Sequence, residues 1–318
     1  GSTWHGLDSL LFEAVKAEIE SLHLGVRIEQ ARRQPARAGG NGGHTLIDSH
    51  GDPHGPFELV IVADGARSQI RDKSDTGRTT TYRWGAVWLV APDPDNTFAG
   101  ELYQTVDGTL KMMGLLPTGF GPGQDTTPLV SLFWGLHEDA VDDWRRAGLA
   151  AFVDEINRYD PRAAPIVATV QDMDQLLFAR YHRVVMRPWH RDGMVFIGDA
   201  GHAMSPQLGQ GTNLALVDAM VLADCLDGAT DLPAALARYS RERRAHIAHY
   251  ELAAHALMPL FQSAMPGMGM LRDTLFTVLS RLPWVDGQMI RTMAGIKRGI
   301  IRPSMTLDLP LPLPPPGA

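Results

Sequence analysis

The sequence predicts a mixed α/β (α+β) fold, in which an antiparallel β-sheet is inserted into a layer of strands and helices and helices form the C-terminal region. The first observation is a short apolar strand and turn at 195–199, followed by an almost entirely apolar helix over 214–226. The second is the extended, alternating pattern of the segments between 81 and 136, which Gly, Pro and Asp-Asn clusters separate. The third is a long Ala- and Arg-rich helical pattern that begins after Asp231.

The N-terminal region alternates between helical and extended patterns. The elements predicted before residue 79 are a helix over 9–21 capped by Asp8 and strands over 24–28, 45–48 and 57–62. The basic and then Gly-rich stretch 32–43 is interpreted as a hairpin loop. The last of these strands runs into the turn Asp64-Gly65-Ala66-Arg67, with Ser68 and Arg71 just beyond it.

The middle of the chain is predicted to be rich in strands and the end to be helical. The predicted strands are 81–91, 100–106, 109–117, 128–136 and 174–186, and the predicted helices are 138–147, 149–159, 231–262, 271–282 and 285–296. The Leu-Pro repeat of 309–316 is expected to be extended because proline does not continue a helix. The large apolar side chains expected to fill the core of the sheet are Trp84, Trp88, Met112, Met113 and Trp134. The Arg-rich stretch 238–244 is expected to face solvent.

Composition narrows the class of protein. Hydrophobic residues make up 44% and charged residues 20% of the 318 residues, which is a globular balance. The net charge of -7 disfavours nucleic acid and anionic membrane surfaces as the main partner. No apolar run approaches the roughly 20 residues that span a bilayer, so no integral membrane segment is expected. The single cysteine, Cys225, lies in the apolar helix, which fits a reducing, cytoplasmic setting.

Several sequence signatures of other enzyme classes are missing. The chain contains no Gly-x-Gly-x-x-Gly turn, no phosphate-binding Gly-x-x-x-x-Gly-Lys-Ser/Thr loop, no Gly-x-Ser-x-Gly elbow and no His-Glu-x-x-His motif. The 12 histidines are scattered without metal-ligand spacing, and no metal is expected. Hydrolase and metalloenzyme functions therefore have little support.

The amino end of the apolar helix is the first positive indication of a ligand site. Gly211, Thr212 and Asn213 are small or cap-forming residues, which leave the first amides of the helix open. Free N–H groups and the helix dipole together attract an anion or an electron-rich carbonyl. The sequence therefore predicts a ligand seat here.

Two motifs together carry a family resemblance. Gly198-Asp199-x-x-His202-x-x-x-Pro206-x-x-Gly209-x-Gly211-x-Asn213, preceded by Asp64-Gly65-x-x-Ser68-x-x-Arg71, resembles the class A FAD-dependent aromatic monooxygenases, the relatives of p-hydroxybenzoate hydroxylase. The resemblance covers 7–250. Members of that family begin with a strand and a Gly-x-Gly-x-x-Gly turn that holds the FAD diphosphate, and this first βαβ unit is absent from the present chain.

The resemblance implies a domain layout. A Rossmann-like FAD-binding layer would be formed by a partial region with the Asp-Gly motif (1–78) and by the Gly-Asp motif with its helix (191–228). The inserted antiparallel β-rich substrate domain would be 79–190, and the C-terminal helices with the Pro-rich tail would be 229–318. A separate N-terminal polypeptide would complete the FAD fold; otherwise the chain does not hold FAD tightly.

The resemblance also implies roles for individual residues. Asp199 would accept hydrogen bonds from the ribityl hydroxyls of FAD, and Pro206 would lie beside the isoalloxazine. The amides of 209–213 would face the flavin N1 and C2 carbonyl, where negative charge collects on reduction. No catalytic side chain is assigned, because the flavin carries the chemistry. The implied cofactor-binding residues are Asp64, Gly65, Arg67, Gly198, Asp199, Pro206, Gly209, Gln210, Gly211, Thr212 and Asn213.

The implied activity is hydroxylation of a small aromatic or electron-rich substrate with NADH or NADPH as reductant and O2. Two other functions stay open on the sequence: a flavin-free descendant that binds a small molecule or does non-redox chemistry, and a non-catalytic partner subunit of an oxidoreductase. Purely structural roles are the alternatives for single residues. Asp199 can cap a turn, His202 can form a structural hydrogen bond, and Arg67 or Arg71 can pair with Asp64.

Overall fold

The computed structural model describes residues 5–35, 42–71, 77–121, 126–299 and 304–305. The helices of these ranges are α1 (His5–Glu18), α2 (Val141–Tyr159), α3 (Ala164–Val167), α4 (Asp199–His202), α5 (Gly211–Asp227), α6 (Leu232–Phe261), α7 (Met268–Leu279) and α8 (Pro283–Met293). The strands are β1 (Ile28–Gln34), β2 (Gly43–Asp48), β3 (Pro53–Phe57), β4 (Val60–Val62), β5 (Gly77–Pro92), β6 (Tyr103–Asp107), β7 (Lys111–Phe120), β8 (Pro128–His137), β9 (Leu177–Met186), β10 (His190–Arg191) and β11 (Met194–Phe196).

The two sequence motifs follow strands of a small sheet with the strand order β10-β11-β4. Strands β11 and β4 pair in parallel, with Val195 opposite Ile61 and Phe196 opposite Val62. The apolar strand β11 is buried along its whole length, and the apolar face of α5 packs in the same core. This layer is the predicted cofactor layer, and it places the ends of β4 and β11 next to each other.

The inserted sheet has the strand order β6-β7-β8-β5-β9, and every pairing in it is antiparallel. Helices α2 and α3 cover one face and form a core with the central strands, where Trp134 and Leu132 are fully buried. Of the large side chains predicted to fill the core of the sheet, Met113 and Trp134 belong to this core, Trp84 and Met112 are buried outside it, and Trp88 is only half-buried. The predicted antiparallel sheet is confirmed.

The helices of the second half follow the predicted order. Asp231 caps α6, as predicted, because its Oδ1 accepts a hydrogen bond from the Ala234 amide at 2.7 Å. The predicted break between two helices at residue 148 is also present, because Gly148 has a non-helical φ of 82° and divides α2 into two helical segments that meet at a kink. The Leu-Pro repeat of 309–316 lies outside the described residues.

Three N-terminal predictions differ from the structure. Helix α1 begins at His5, so Asp8 lies inside it and does not cap it. The strand predicted over 24–28 begins only at Ile28, and β1 extends into the stretch interpreted as a loop. The strand predicted over 57–62 is divided, because β3 pairs with β2 whereas β4 pairs with β11, and the chain changes sheets between them.

Within the described part of the chain, no helix has the length and apolar character needed to cross a membrane.

Candidate cofactor site

The parallel pairing of β4 and β11 brings the two sequence motifs together. Val62 and Phe196 are register partners at the carboxyl ends of their strands, and the Ile197 amide continues the ladder by donating to Val62 O at 3.1 Å. Asp64 and Asp199 follow these two ends directly. In open α/β sheets, ligands bind at the carboxyl ends of the strands, so both acids lie where a ligand is expected.

The Gly-Asp turn depends on the backbone of Gly198. Its φ of 55° and ψ of -142° lie in a region that residues with a Cβ avoid. A Cβ at this position would also lie 3.2 Å from the Ala215 Cβ on the neighbouring helix α5. The turn therefore requires glycine, and it starts the single helical turn α4 with Asp199 as its first residue.

The Asp199 carboxylate lies at the open side of this turn. Asp199 is exposed to solvent, and among the described residues none donates a hydrogen bond to its carboxylate. Desolvation by the surrounding protein nevertheless raises its pKa, and the charges of His202 and His182 oppose that rise. A carboxylate that is partly enclosed and has no protein donor is suited to accept hydrogen bonds from ligand hydroxyls.

The loop from Pro206 to α5 forms the next wall of the site. Pro206 is exposed at the start of a short 3-10 turn, and Gly209 ends this turn in the left-handed conformation with a φ of 62°. No side chain caps the amino end of α5, whose first amide with a helical partner is that of Leu214. The Gly211 Cα lies close to the acid, since a Cβ there would be 4.0 Å from the Asp199 Oδ1. The acid and the uncapped helix end thus share one site.

Gln210 is placed differently from the other predicted residues. It is buried, and its Nε2 donates to Met293 O at 2.9 Å and to Leu208 O at 3.2 Å. Its Oε1 accepts from the Asn213 Nδ2 at 3.1 Å. The polar atoms of the Gln210 side chain are therefore engaged by protein groups, so that only the backbone of Gln210 is free to contact a cofactor. Thr212 is half-buried and Asn213 is exposed at the helix end.

The Asp-Gly turn lies beside an open cavity of about 880 Å3 along the outer edge of β4. Asp64 and Arg67 line this cavity, and both are exposed. Gly65 allows the turn, with a φ of 84°. These three predicted residues are thus accessible to a ligand.

The buried side chain of Arg71 connects the two motifs by hydrogen bonds. It is buried, and its guanidinium donates to Ala200 O in the Gly-Asp turn, to Ala66 O at 2.7 Å and to Thr79 Oγ1 at 3.0 Å. Burial lowers the pKa of Arg71, and the charge of Asp64 opposes that shift. Its hydrogen bonds go to protein groups of both motifs, so Arg71 holds the two turns in their relative position.

Sequence reasoning missed a buried polar network behind the site. Asp218 on α5 is fully buried and accepts hydrogen bonds from the Gly198 amide at 2.7 Å, from the His202 Nε2 at 2.6 Å and from the Arg243 Nε at 2.7 Å. Burial raises the pKa of Asp218, but His202, Arg243 and the Gly198 amide outweigh it and lower that pKa to about 2.

Arg243 corrects one prediction. It is fully buried on α6, whereas the sequence interpretation placed the whole stretch 238–244 in solvent. The signals for this network are a lone acid in an apolar helix and an arginine on the apolar face of the next helix. His202 is buried and bonded to Asp218, as expected for the structural alternative.

These positions can be compared with known proteins. A family model described as FAD binding domain matches residues 57–253, more than half of the chain and all of the predicted site.

The chain belongs to the FAD-binding domain family.

Two curated relatives show how far the similarity extends. Aurachin C monooxygenase/isomerase of Stigmatella aurantiaca is 31% identical over 193 residues, which cover 58% of this chain and 47% of that protein. Kynurenine 3-monooxygenase of Salinispora arenicola is 31% identical over 199 residues, which cover 59% of this chain and 42% of that protein. The chain spans about half the length of the curated relatives it matches.

Solved structures share the fold at lower identity. Klebsiella pneumoniae HpxO, complexed with FAD and uric acid, superposes with a TM-score of 0.68 at 19% identity, over 90% of this chain and 71% of that one. The tetrameric form of 2-methyl-3-hydroxypyridine-5-carboxylic acid oxygenase has a TM-score of 0.63 at 18% identity, over 81% of this chain and 67% of that one. The mixed fold of an FAD-binding monooxygenase is thereby confirmed.

The site residues fit FAD chemically. The Asp199 carboxylate has no donor among the described residues and suits ribityl hydroxyls, which are donors. The uncapped amides at the start of α5 suit the electron-rich pyrimidine end of a flavin. A Cβ at Gly209 would meet open space, so the bare backbone at this position leaves room for a planar ring. Among the described residues, no group of three or more His, Cys, Asp and Glu side chains is arranged to hold a metal.

Proposed function

We propose that the chain is the FAD-binding and substrate-binding part of a flavin-dependent monooxygenase that hydroxylates a small aromatic or related electron-rich molecule with NAD(P)H and O2. The observation that carries the proposal is that Asp64 and Asp199 follow the adjacent carboxyl ends of β4 and β11, and that Asp199 lies beside the uncapped start of α5. Membership in the FAD-binding domain family and the monooxygenase names of the relatives support it.

When bound, FAD supplies the redox chemistry, accepting electrons from NAD(P)H and activating O2 for transfer of one oxygen atom to the substrate. The protein positions the cofactor. Asp199 would accept hydrogen bonds from the ribityl hydroxyls, and the α5 amides would stabilise the negative charge that reduction places on the pyrimidine end. Pro206, at the exposed turn before α5, would supply an apolar surface that helps to exclude water.

The inserted sheet is the proposed substrate platform. Strand β9 is tied to the Gly-Asp segment because the Val184 amide donates to Ala203 O at 2.8 Å. Beside that junction, the Gln207 Nε2 donates to the Gln262 Oε1 at 2.8 Å, which fixes the loop after Pro206 to the end of α6. The sheet and the cofactor loop are therefore connected directly, which supports a fixed position of a substrate ring on the sheet relative to the flavin.

The Asp-Gly turn is the proposed approach of the reductant. Arg67 is exposed beside Asp64 on the rim of the cavity, and a guanidinium binds phosphate well. Burial lowers the pKa of His182 on β9, and the charge of Arg67 adds to that effect.

The outer edge of β4 supports a further element of the proposal. Among the described strands, β4 has a partner on one side only, and Ile61 is 49% exposed beside the cavity. The backbone groups on the outer side of an edge strand can form hydrogen bonds with another strand, and the open cavity leaves space for one. We propose that a polypeptide segment carrying the diphosphate anchor, in the same chain or in a separate one, pairs along this edge. The buried free thiol of Cys225 supports a reducing, cytoplasmic setting.

The activity is tested by turnover. The protein is saturated with FAD, and NAD(P)H oxidation is followed with a panel of kynurenine, uric acid and hydroxypyridine carboxylates under 18O2. The expected result is NAD(P)H-dependent incorporation of one 18O atom into an aromatic substrate, with Asp199→Ala inactive at the same FAD concentration. NAD(P)H oxidation that never labels any member of the panel would count against hydroxylation, and a flavin-loaded protein that does not oxidise NAD(P)H would refute the proposal.

Asp224→Ala is the matched control, because Asp224 is an exposed acid on the same helix α5 and lies away from the site. Equal loss of activity in both variants would show that the effect of Asp199→Ala is not specific to the seat.

A further inference from the structure

We propose that Asp218 is a positioning residue that holds the backbone of Gly198 and the ring of His202 and so directs Asp199 at the cofactor. The inference rests on the proposed FAD site and adds to it a residue that does not itself touch the flavin.

The geometry places one carboxylate behind the whole Gly-Asp turn. The Asp218 Oδ2 accepts from the Gly198 amide at 2.7 Å and from the His202 Nε2 at 2.6 Å. Gly198 precedes α4 and His202 ends it, so these two bonds fix both ends of the single turn that carries Asp199. Because an ionised carboxylate only accepts, the Nε2 of His202 is the protonated nitrogen. The direction in which Asp199 points is therefore set from α5.

The contact with Gly198 anchors a residue that is free to adopt many backbone conformations. Its φ of 55° and ψ of -142° lie in a region that glycine reaches without a steric penalty, so outside contacts are needed to hold it there. The bond from the Gly198 amide to Asp218 is buried and joins residues that are 20 apart in sequence. This bond anchors the turn to α5, the helix whose amino end lies at the proposed cofactor site.

A carboxylate is required at this position because all three of its partners are donors. An amide in its place would keep one acceptor oxygen and present an N–H group to a donor, which leaves buried groups unpaired. Arg243 makes the buried charge tolerable, since its Nε donates to the Asp218 Oδ1 at 2.7 Å and both side chains are fully buried.

Arg243 is itself held on its other sides. Its Nη2 donates to Leu214 O at 3.1 Å in the first turn of α5, and its Nη1 donates to the His246 Nδ1. The His246 Nε2 donates to Gly295 O at 2.6 Å. Burial lowers the pKa of His246 to about 3, with the charge of Arg243 adding to the effect, so the ring is neutral and its Nδ1 is free to accept. The network thus fixes the Gly-Asp turn and the amino end of α5 relative to each other.

The test separates positioning from general stability. Hydrogen exchange of the Gly198 amide is measured by NMR without FAD, and FAD affinity is measured by quenching of flavin fluorescence, in the wild type and in Asp218→Asn. The expected result is strong protection of Gly198 in the wild type, at least about tenfold faster exchange in the variant, and a dissociation constant for FAD raised by roughly tenfold or more. The stability control is Ile156→Ala, in the core of the inserted sheet and away from the seat.

Several results would overturn the inference. Gly198 exchanging in the wild type as fast as the amide of the exposed turn residue Gly100 would do so without any variant. Unchanged hydrogen exchange and unchanged FAD affinity in Asp218→Asn would also overturn it. An equal loss of FAD affinity in Ile156→Ala would show that Asp218 contributes only to general stability. If the wild type takes up no FAD, the proposed function fails, while the exchange measurement still decides the role of Asp218.

Discussion

Removal of Arg243 is expected to destabilise the protein strongly. Arg243→Met keeps the length and apolar stem of the side chain but leaves the Asp218 carboxylate with one cationic partner fewer in a site with no exposure to solvent. Breaking a buried ion pair by removing one partner costs about 3–5 kcal/mol. Domains are stable by about 5–15 kcal/mol, so this is a large fraction of the total.

The measurement is urea unfolding followed by circular dichroism, with the free energy of unfolding obtained by linear extrapolation. The control is Arg238→Met on the same helix, where the Arg238 Nε lies 2.7 Å from the Glu242 Oε1 but the side chains are 44% and 36% exposed. A surface pair of this kind contributes about 0–1 kcal/mol. The double variant Asp218→Asn/Arg243→Met is expected to recover part of the loss, because no charge remains buried. Equal losses in Arg243→Met and Arg238→Met would refute the reasoning.

Two further predictions concern the buried charges. Arg71→Met leaves the carbonyls of Ala66 and Ala200 without their donor, and we expect a loss of about 1–3 kcal/mol in urea unfolding; a loss no greater than that of the exposed Arg78→Met would contradict the bridging role. Asp218 has a folded pKa of about 2 against an ordinary 3.8, so its contribution of roughly 2–3 kcal/mol is present above about pH 4 and lost as pH falls towards 2. Asp218→Asn is therefore expected to unfold with a flatter pH dependence over that window, and parallel curves for the two proteins would show that Asp218 does not titrate this way.

Much of the architecture was predictable because local patterns determine it. Strand β11 is strictly apolar and α5 carries a broad apolar face, so both have to pack against other elements, and the long apolar segments of β5, β7 and β8 are typical of strands in a packed sheet. Gly148 and Asp231 are local signals whose effect does not depend on distant residues. The family could also be recognised from the sequence, because the resemblance depends on residue spacing within the short Asp-Gly and Gly-Asp motifs.

The network behind the site was not predicted, because its bonds join residues far apart in sequence. Asp218 and Arg243 are 25 residues apart, and no local pattern pairs them. The sequence did contain one usable signal: Arg243 continues the buried series Leu236, Tyr239, Ile247 and Tyr250 at helical spacing. An arginine on such a face needs a buried acid, and Asp218 in the preceding apolar helix is the obvious partner. The division between β3 and β4 was missed for a related reason, since the choice of partner strand decides it.

The central claim is that the edge formed by Asp64, Asp199 and the start of α5 is an FAD seat, and FAD titration tests it most directly. The purified chain is titrated with FAD up to saturation, without a separation step, and binding is followed by flavin fluorescence and by the visible difference spectrum. We expect saturable quenching of the fluorescence with one flavin per chain. In Asp199→Ala, the loss of hydrogen bonds to a charged acceptor is expected to weaken binding by about 1.5–3 kcal/mol, or roughly 10–150-fold. A titration that shows no flavin binding, or an Asp199→Ala variant that binds FAD as tightly as the wild type, would contradict the assignment.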